Sequence, residues 1–277
     1  MNLNTVTEIK RPGSAEEIRE WREGYAWLAG GTWLFSTPQL GTDTLIDLES
    51  LRWPGLIATG SGLDIAATCT ITELDRFDAS PEWRAAPLLS MCCRSLLMSF
   101  KVANAATVGG NICMSLPAGA MISLAASLEG ICTLWPRNGM PREVAAVDFV
   151  TGNGVNVLQP GELLRSIHLP ASALAKRFAF RRSSLTHLGR SAIIVIGTQT
   201  RNSDDLLVTI TAATVKPIQL RFDRMPSADA LRYAIDSAVP DADYFDDVHG
   251  SAPYKRHLTY YHAEQVRAEL ARPGAAA

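Results

Sequence analysis

The sequence LAGGTWL at residues 28–34 carries a glycine pair directly before Thr32, and NAATVGGNICMSLPAG at residues 104–119 carries a second pair. We call residues 28–34 the first glycine segment and residues 107–111 the second glycine segment. Paired glycines permit a positive φ and let a ligand approach where a Cβ atom would clash. Successive N–H groups in such turns converge into a concavity that binds anions. The two segments together predict a site that binds the two phosphates of one dinucleotide, although a single glycine pair after a strand is usually just a turn.

The usual nucleotide-binding signatures are missing from the chain. Gly60-Ser61-Gly62 begins like a G-x-G-x-x-G fingerprint, but Ile65 occupies the position of the third glycine and the segment is predicted to form a strand. The sequence also lacks a P-loop. A dinucleotide site here is therefore predicted to belong to a fold that is not of the Rossmann type.

Hydrophobic periodicity and turn residues predict a mixture of helices and strands in the α+β class. The polar stretch after Pro170 marks a candidate domain boundary, and the end of the chain at residues 273–277 is predicted to be frayed. The predicted helices are residues 14–23, 88–100, 118–129, 227–239 and 254–270. The predicted strands are residues 25–29, 44–48, 63–70, 131–135, 178–182, 193–197 and 206–214, together with one that ends at residue 170.

Composition argues against several functional classes. The 26 basic and 28 acidic residues give a net charge of −2 without a basic run, which argues against a nucleic-acid surface. The amino terminus lacks an apolar signal-peptide core, so a cytoplasmic location is expected.

The five cysteines form no C-x-x-C pair, and their spacings match neither a zinc site nor an iron–sulfur cluster. His257 and His262 are predicted to be surface residues rather than metal ligands.

Four motifs, in order, resemble the FAD-binding family of molybdopterin dehydrogenases, which includes the flavin subunits of xanthine dehydrogenase and carbon monoxide dehydrogenase. LAGGTWL, followed by LIDL at residues 45–48, is similar to the first FAD loop of that family. NAATVGGNICMSLPAG is similar to its second loop, and PGELLRSIHLP at residues 160–170 to the end of its flavin domain. SAPYKRHL at residues 251–258 resembles a motif of its carboxy-terminal domain.

The resemblance implies a fold and a set of FAD contacts. Residues 1–170 would form a two-subdomain FAD-binding domain of non-Rossmann type with a break near residues 50–55. Residues 171–277 would form a smaller α+β domain of antiparallel sheet and helices. Leu164 would lie near the flavin ring, or be a plain core leucine; Arg181 would be the basic residue beside the cofactor, or a solvated charge. The residues implied to contact FAD are Leu28, Ala29, Gly30, Gly31, Thr32, Trp33, Leu34, Thr107, Gly109, Gly110, Asn111, Leu164 and Arg181.

The sequence departs from the family pattern at two positions. Trp33 stands where the first loop commonly has an acidic residue, and Ala120 stands where the second motif usually ends in Asp. Losing one hydrogen bond to an FAD hydroxyl costs about 1 kcal/mol, and up to about 3 kcal/mol if a buried partner stays unsatisfied. FAD is therefore still expected to bind. Trp33 could compensate by stacking on an aromatic ring or could serve only in packing.

The resemblance also implies a function for the chain. It would be an oxidoreductase component that binds FAD, receives electrons from [2Fe-2S] clusters of a small partner subunit and passes them to NAD, oxygen or another acceptor. A large partner subunit would carry the molybdenum cofactor and oxidise the substrate. No catalytic acid or base is expected in this chain. Two alternatives stay open: a stand-alone flavin oxidoreductase, and a flavin-less structural subunit of such a complex.

Overall fold

The computed structural model describes residues 3–18 and 20–272, so the predicted frayed end at residues 273–277 lies outside the described residues. The described residues form three β-sheets and a two-stranded ribbon, with helices packed between and against the sheets. This arrangement confirms the α+β class. In the part of the chain that the structure describes, no helix is both long enough and apolar enough to cross a membrane.

The first sheet consists of three parallel strands and presents the first glycine segment. The strands are β1 (Glu8–Lys10), β2 (Tyr25–Leu28) and β3 (Thr44–Asp47), in the order β1-β3-β2. β2 and β3 lie where the sequence predicts strands. Because β2 ends at Leu28, its glycine pair emerges directly from the edge of this sheet.

The helix predicted at residues 14–23 is wrong. Among the described residues of this span, the helical part is a short 3-10 turn at Ala15–Ile18. The ring of Trp21 instead packs against those of Tyr25 and Trp27, with centroid distances of 5.9 and 4.7 Å. These tertiary contacts override the local helical preference, which is a weak determinant of structure by itself.

The second sheet has five antiparallel strands in the order β4-β5-β10-β6-β7 and packs one face against a group of short helices. Between β7 and β10 the chain makes a small ribbon of two strands, β8 and β9. The strands are β4 (Leu56–Thr59), β5 (Gly62–Ala66), β6 (Ile131–Trp135), β7 (Arg142–Ala145), β8 (Val150–Gly152), β9 (Val155–Asn156) and β10 (Leu163–Pro170).

The helices beside this sheet are short. They are α1 (Ile71–Asp75), α2 (Pro87–Cys93), α3 (Phe100–Ala103), α4 (Val108–Cys113), α5 (Ala120–Ser127), α6 (Ala146–Phe149) and α7 (Ala171–Leu174). The single helix predicted over residues 88–100 is wrong, because α2 ends at Cys93 and residues 96–98 turn away to line a cleft. All eight residues of α5 are buried, as expected from its apolar sequence.

The third sheet has four antiparallel strands in sequential order and two long helices. The elements are β11 (Arg177–Ser183), β12 (Ile193–Gln199), β13 (Leu206–Thr211), β14 (Ile218–Phe222), α8 (Ala228–Ala238) and α9 (Ala252–Leu270). α9 covers one face, while α5 covers the other and bonds through Ser123 to Thr211, with an Oγ–Oγ1 distance of 2.6 Å. Burial on both faces explains why every residue of β12 and β13 is buried and why the strands are mainly apolar rather than alternating.

The SAPYKRHL motif forms the start of α9, and its chemistry is structural. Lys255 is 1% exposed, and its Nζ lies 2.8 Å from Oδ1 of Asp247. Asp246 accepts a hydrogen bond from the first amide of α9, at Ala252, over 3.1 Å. His257 is exposed as predicted, but the surface prediction for His262 is wrong: it is 6% exposed and its Nε2 lies 2.8 Å from Oγ of Ser183.

Candidate functional site

The two glycine segments meet at one cleft of about 500 Å³. The cleft opens between the edge of the first sheet, the helices α3 and α4, and the loop between β11 and β12. Its walls are mainly apolar, which suits a large aromatic ligand. The lining residues are residues 27–34, Ser36, Ile71, residues 95–98, Val102, Ala106, Thr107, Gly110, Asn111, Cys113, Met114, Leu116, Ala118, Gly119, Arg190 and Ser191.

The first glycine segment is an open turn with unused backbone donors. Gly31 has a φ of +67°, and its carbonyl accepts from the amide of Phe35 over 2.8 Å. The N–H groups of residues 31–34 donate to no acceptor among the residues that the structure describes. Since these residues line the cleft, the segment presents successive free amides to a ligand, which is the arrangement that holds anions.

Gly30 brings the two segments into direct contact. A Cβ atom built at Gly30 would lie 1.6 Å from the carbonyl oxygen of Ala105. The obstacle is backbone, so no side-chain movement could relieve the clash. Glycine is required here for close approach, not for a positive φ.

The second glycine segment is the start of α4 and not a glycine turn, which corrects the sequence-based expectation. Neither Gly109 nor Gly110 has a positive φ. Oγ1 of Thr107 caps the helix by accepting from the amide of Gly110 over 3.0 Å. A Cβ atom at Gly109 would lie 2.4 Å from the Cβ of Ala67, so this glycine serves packing and does not line the cleft.

The backbone amides of the second segment are already used within the protein. Val108 donates to the carbonyl of Cys69 over 2.9 Å, and Gly109 donates to that of Ala67 over 3.0 Å. Gly110 donates to the Thr107 cap, and Asn111 donates to the Thr107 carbonyl over 3.0 Å. The second segment can therefore offer a ligand side-chain groups but no free amides from residues 108–111.

The alanine at position 120 lies outside the cleft lining and is completely buried. It begins α5, whose cap residue Gly119 provides no side-chain acceptor. Oδ1 of Asn111 fills that role by accepting from the amide of Met121 over 3.2 Å. Asn111 thus joins the start of α5 to the second glycine segment, and its side-chain nitrogen is the donor left for a ligand.

The cleft holds few groups that could do acid–base chemistry. Among its described lining residues, Arg190 is the single formal charge, and no Asp, Glu, His or Lys is present. Burial raises the pKa of the Cys113 thiol to about 12, so it is not a nucleophile at neutral pH. In the described part of the chain, no group of three or more His, Cys, Asp or Glu side chains could hold a metal ion. The arrangement is suited to binding and orienting a ligand.

The structure brings most of the predicted site residues together, with three exceptions. All seven residues of the first segment line the cleft, as do Thr107, Gly110 and Asn111. Gly109 lies behind the wall. Leu164 is 2% exposed in the core and pairs with Leu134 across the second sheet. Arg181 binds Gln265 and Glu269 on α9, at 3.2 and 2.5 Å, and does not line the cleft.

Several lining residues were missed by the sequence reasoning. Residues 95–98 lie in a segment predicted as plain buried helix, and Arg190 and Ser191 lie about 80 positions beyond the second glycine segment. The early end of α2 could not be read from an apolar run. The long sequence separation of Arg190 hid its place in the fold, because sequence patterns report local periodicity only.

A larger groove of about 840 Å³ lies between α8 and α9. Most of its charged groups are already paired: Arg256 contacts Asp241 at 3.1 Å and Asp236 at 3.5 Å, and Glu264 contacts Arg267 at 2.7 Å. Arg232 lies over the ring of Tyr260, 4.3 Å from its centroid. The groove contains neither glycine segment. This groove is larger than the cleft, but the free backbone amides of residues 31–34 lie at the cleft, so the cleft is the candidate functional site.

A family profile matches this chain. The profile described as FAD binding domain in molybdopterin dehydrogenase matches residues 5–172, more than half of the 277 residues. This span includes both glycine segments. A comparison with curated proteins finds no match.

Solved structures share the fold over nearly the whole chain. Quinoline 2-oxidoreductase from Pseudomonas putida 86 superposes with a TM-score of 0.79 at 18% identity, covering 97% of this chain and 98% of that chain. Carbon monoxide dehydrogenase from Hydrogenophaga pseudoflava, which lacks the Mo-pyranopterin moiety of the molybdenum cofactor, gives 0.78 at 22% identity, covering 94% and 96%. Reconstituted CO dehydrogenase from Oligotropha carboxidovorans gives 0.77 at 21% identity, covering 94% of each chain.

The cleft fits the cofactor that the family profile names. Free amides at residues 31–34 suit a diphosphate, the apolar walls suit a flavin ring, and the close contact at Gly30 leaves no space for a side chain where the segments meet. The chain belongs to the family of FAD-binding domains in molybdopterin dehydrogenases, which are oxidoreductases.

Proposed function

We propose that this chain is the FAD-carrying electron-transfer subunit of a multi-subunit molybdenum hydroxylase. It receives electrons from the iron–sulfur clusters of a small partner subunit and passes them to NAD, oxygen or another acceptor. A large partner subunit holds the molybdenum cofactor and oxidises the organic substrate. We place this complex in the cytoplasm.

One observation carries the proposal: the cleft combines free backbone donors with apolar walls and lacks acid–base groups among its described lining residues. A flavin supplies the redox chemistry when it is bound, so the protein has only to hold, orient and tune it. In this proposal the amides of residues 31–34 bind the diphosphate, while the apolar walls exclude water from the ring.

The rim of the cleft supports transfer to and from an outside partner. Trp33 lines the cleft and is 40% exposed, and Leu97 lines it and is 58% exposed. Large apolar side chains at a cleft mouth are compatible with contact to another protein. The cysteines are consistent with iron–sulfur clusters held by another subunit, because Cys69, Cys92, Cys93 and Cys132 are buried in the core and burial raises the pKa of each thiol.

The test is purification of the tagged chain from its native cells, followed by identification of bound flavin, metals and co-purifying chains. The expected result is one FAD per chain, with absorbance near ~450 nm, in a complex that also contains molybdenum and iron. The wild-type complex is compared with a complex that contains the Gly30→Ala variant. The variant complex should lose FAD and keep its metals, which would assign the flavin to this chain.

Other results would replace the proposal. A yellow chain that purifies alone and oxidises a nicotinamide or small substrate would be a stand-alone flavin oxidoreductase. A colourless chain in a metal-containing complex would be a flavin-less structural subunit. Either result contradicts electron transfer through FAD between partner chains.

A further inference from the structure

The cleft has a shortage of positive charge for the ligand that it is proposed to bind. A diphosphate linking two nucleosides carries two negative charges, and backbone amides provide only partial positive charges. The amides of residues 108–111 are bonded within the protein, so the run of successive free amides at the cleft comes from residues 31–34 of the first glycine segment. A formal positive charge at the cleft would therefore have a large effect on affinity.

Arg190 is the candidate for that charge. It lies in the loop between β11 and β12, about 80 positions after the second glycine segment, and it lines the same cleft as both glycine segments. Its guanidinium has no ion-pair partner among the residues that the structure describes. An exposed arginine without a carboxylate partner at an anion site is free to bind phosphate oxygens in a two-pronged geometry.

Arg182 fixes the position of this loop. Its Nε donates to Oγ of Ser191 over 2.8 Å, and its Nη2 donates to the carbonyl of Gly189. These two bonds hold the residues on both sides of Arg190. Ser191 is 2% exposed, and the next amide, at Ala192, donates to the carbonyl of Ser183 over 2.8 Å. The loop is therefore anchored on the sheet immediately beside the arginine that faces the cleft.

We propose that Arg190 supplies the positive charge that binds the diphosphate of FAD, and that Arg182 is the positioning residue that holds Arg190 at the cleft. This inference rests on the proposed function, because it concerns the same cofactor. It replaces Arg181 as the arginine of the RR pair that serves the site: Arg182 acts through the loop, whereas Arg181 is bonded to α9.

The test compares the affinities of the flavin-free chain for FAD and for riboflavin. Flavin fluorescence measures both affinities. Riboflavin has the same ring but no phosphate. Loss of one charge-assisted interaction in Arg190→Gln should weaken FAD binding about 10- to 100-fold. Riboflavin affinity should change less than about twofold. Arg201→Gln is the matched control, because Arg201 is an exposed arginine in the turn between β12 and β13 and does not line the cleft; this variant should bind both ligands like the wild type.

The role of Arg182 is tested with Arg182→Lys, which keeps the charge but not the two-pronged geometry. FAD binding should weaken about 3- to 10-fold. In the double variant with Arg190→Gln, the second change should add less than about twofold, because Arg182 acts through Arg190. Multiplying losses in the double variant would show an independent structural effect and overturn the positioning role.

The outcomes separate this inference from the proposed function. A wild-type chain that does not bind FAD contradicts the proposed function. A wild-type chain that binds FAD, with Arg190→Gln binding it as tightly as Arg201→Gln does, contradicts only the role of Arg190. Equal losses for FAD and riboflavin would place Arg190 against the ring and overturn the assignment to the diphosphate.

Discussion

The first and second glycine segments look alike in sequence, but their glycines have different physical roles. In the first segment Gly31 adopts a positive φ and the following amides are free. In the second segment the glycines begin a helix, and the amides are bonded to residues 67, 69 and 107. A glycine pair therefore indicates that the backbone is crowded or strained, but it does not tell whether a ligand or another part of the protein causes this.

The largest expected effect comes from Gly30→Ala, where the segments touch. Its Cβ would lie 1.6 Å from the carbonyl of Ala105, so the segments must separate. We expect a loss of about 3 kcal/mol in the free energy of unfolding, at the upper end for overpacking, and FAD binding weaker by at least about 100-fold. Urea unfolding and FAD titration measure both. Gly41→Ala is the control, since a Cβ there has nothing within 4 Å.

Gly109→Ala should rank second and should act on stability more than on binding. Its Cβ would lie 2.4 Å from the Cβ of Ala67 and 2.7 Å from the Ala67 carbonyl oxygen, behind the cleft wall. We expect about 2 kcal/mol of destabilisation. FAD affinity, measured where the variant is fully folded, should fall less than for Gly30→Ala. Unchanged stability with FAD binding lost would mean that Gly109 contacts the ligand.

Thr107→Ala removes the cap of α4 and should have an intermediate effect. The Thr107 hydroxyl accepts from the amide of Gly110 over 3.0 Å. Loss of a side-chain cap costs about 1 kcal/mol. Thr107→Ser keeps the hydroxyl, and thermal unfolding should show it close to the wild type. If serine and alanine were equally destabilising, packing of the Thr107 methyl group rather than capping would explain the loss.

Gly110→Ala should have the smallest effect on stability, below about 1 kcal/mol. A Cβ there would meet only Oγ1 of Thr107, at 2.8 Å, and alanine gains about 1 kcal/mol of helix propensity over glycine. Because Gly110 lines the cleft, FAD affinity should still fall a few-fold. Calorimetry measures the stability of the variant, and FAD titration of the same sample measures its affinity for FAD. A stability loss as large as that of Gly109→Ala would contradict this difference between neighbouring glycines.

The sequence allowed much of the fold to be predicted, because strands such as β12 and β13 are runs of mainly apolar residues. It failed where tertiary contacts override local preference, as at Trp21, and where an apolar run bends to line a cleft, as at residues 96–98. The domain boundary near residue 170 stays a prediction.

For the site, the sequence identified the segments but not their separate roles. Hydrogen bonds from residues 108 and 109 to residues 69 and 67 join parts of the chain that no local pattern connects. No local pattern marks Arg190 either, since its place at the cleft depends on the packing of the third sheet. The FAD contacts of Leu164 and Arg181 stay predictions, and the structure brings neither residue to the cleft.

Hydrogen exchange of the flavin-free chain, with and without one equivalent of FAD, tests most directly whether the first segment's amides bind the cofactor. We expect exchange at residues 31–34 to be fast without FAD and strongly slowed with it, because these amides have no acceptor among the described residues. Exchange at residues 108–111, which are already hydrogen-bonded, should change far less. Unchanged exchange at residues 31–34 under saturating FAD would contradict the account.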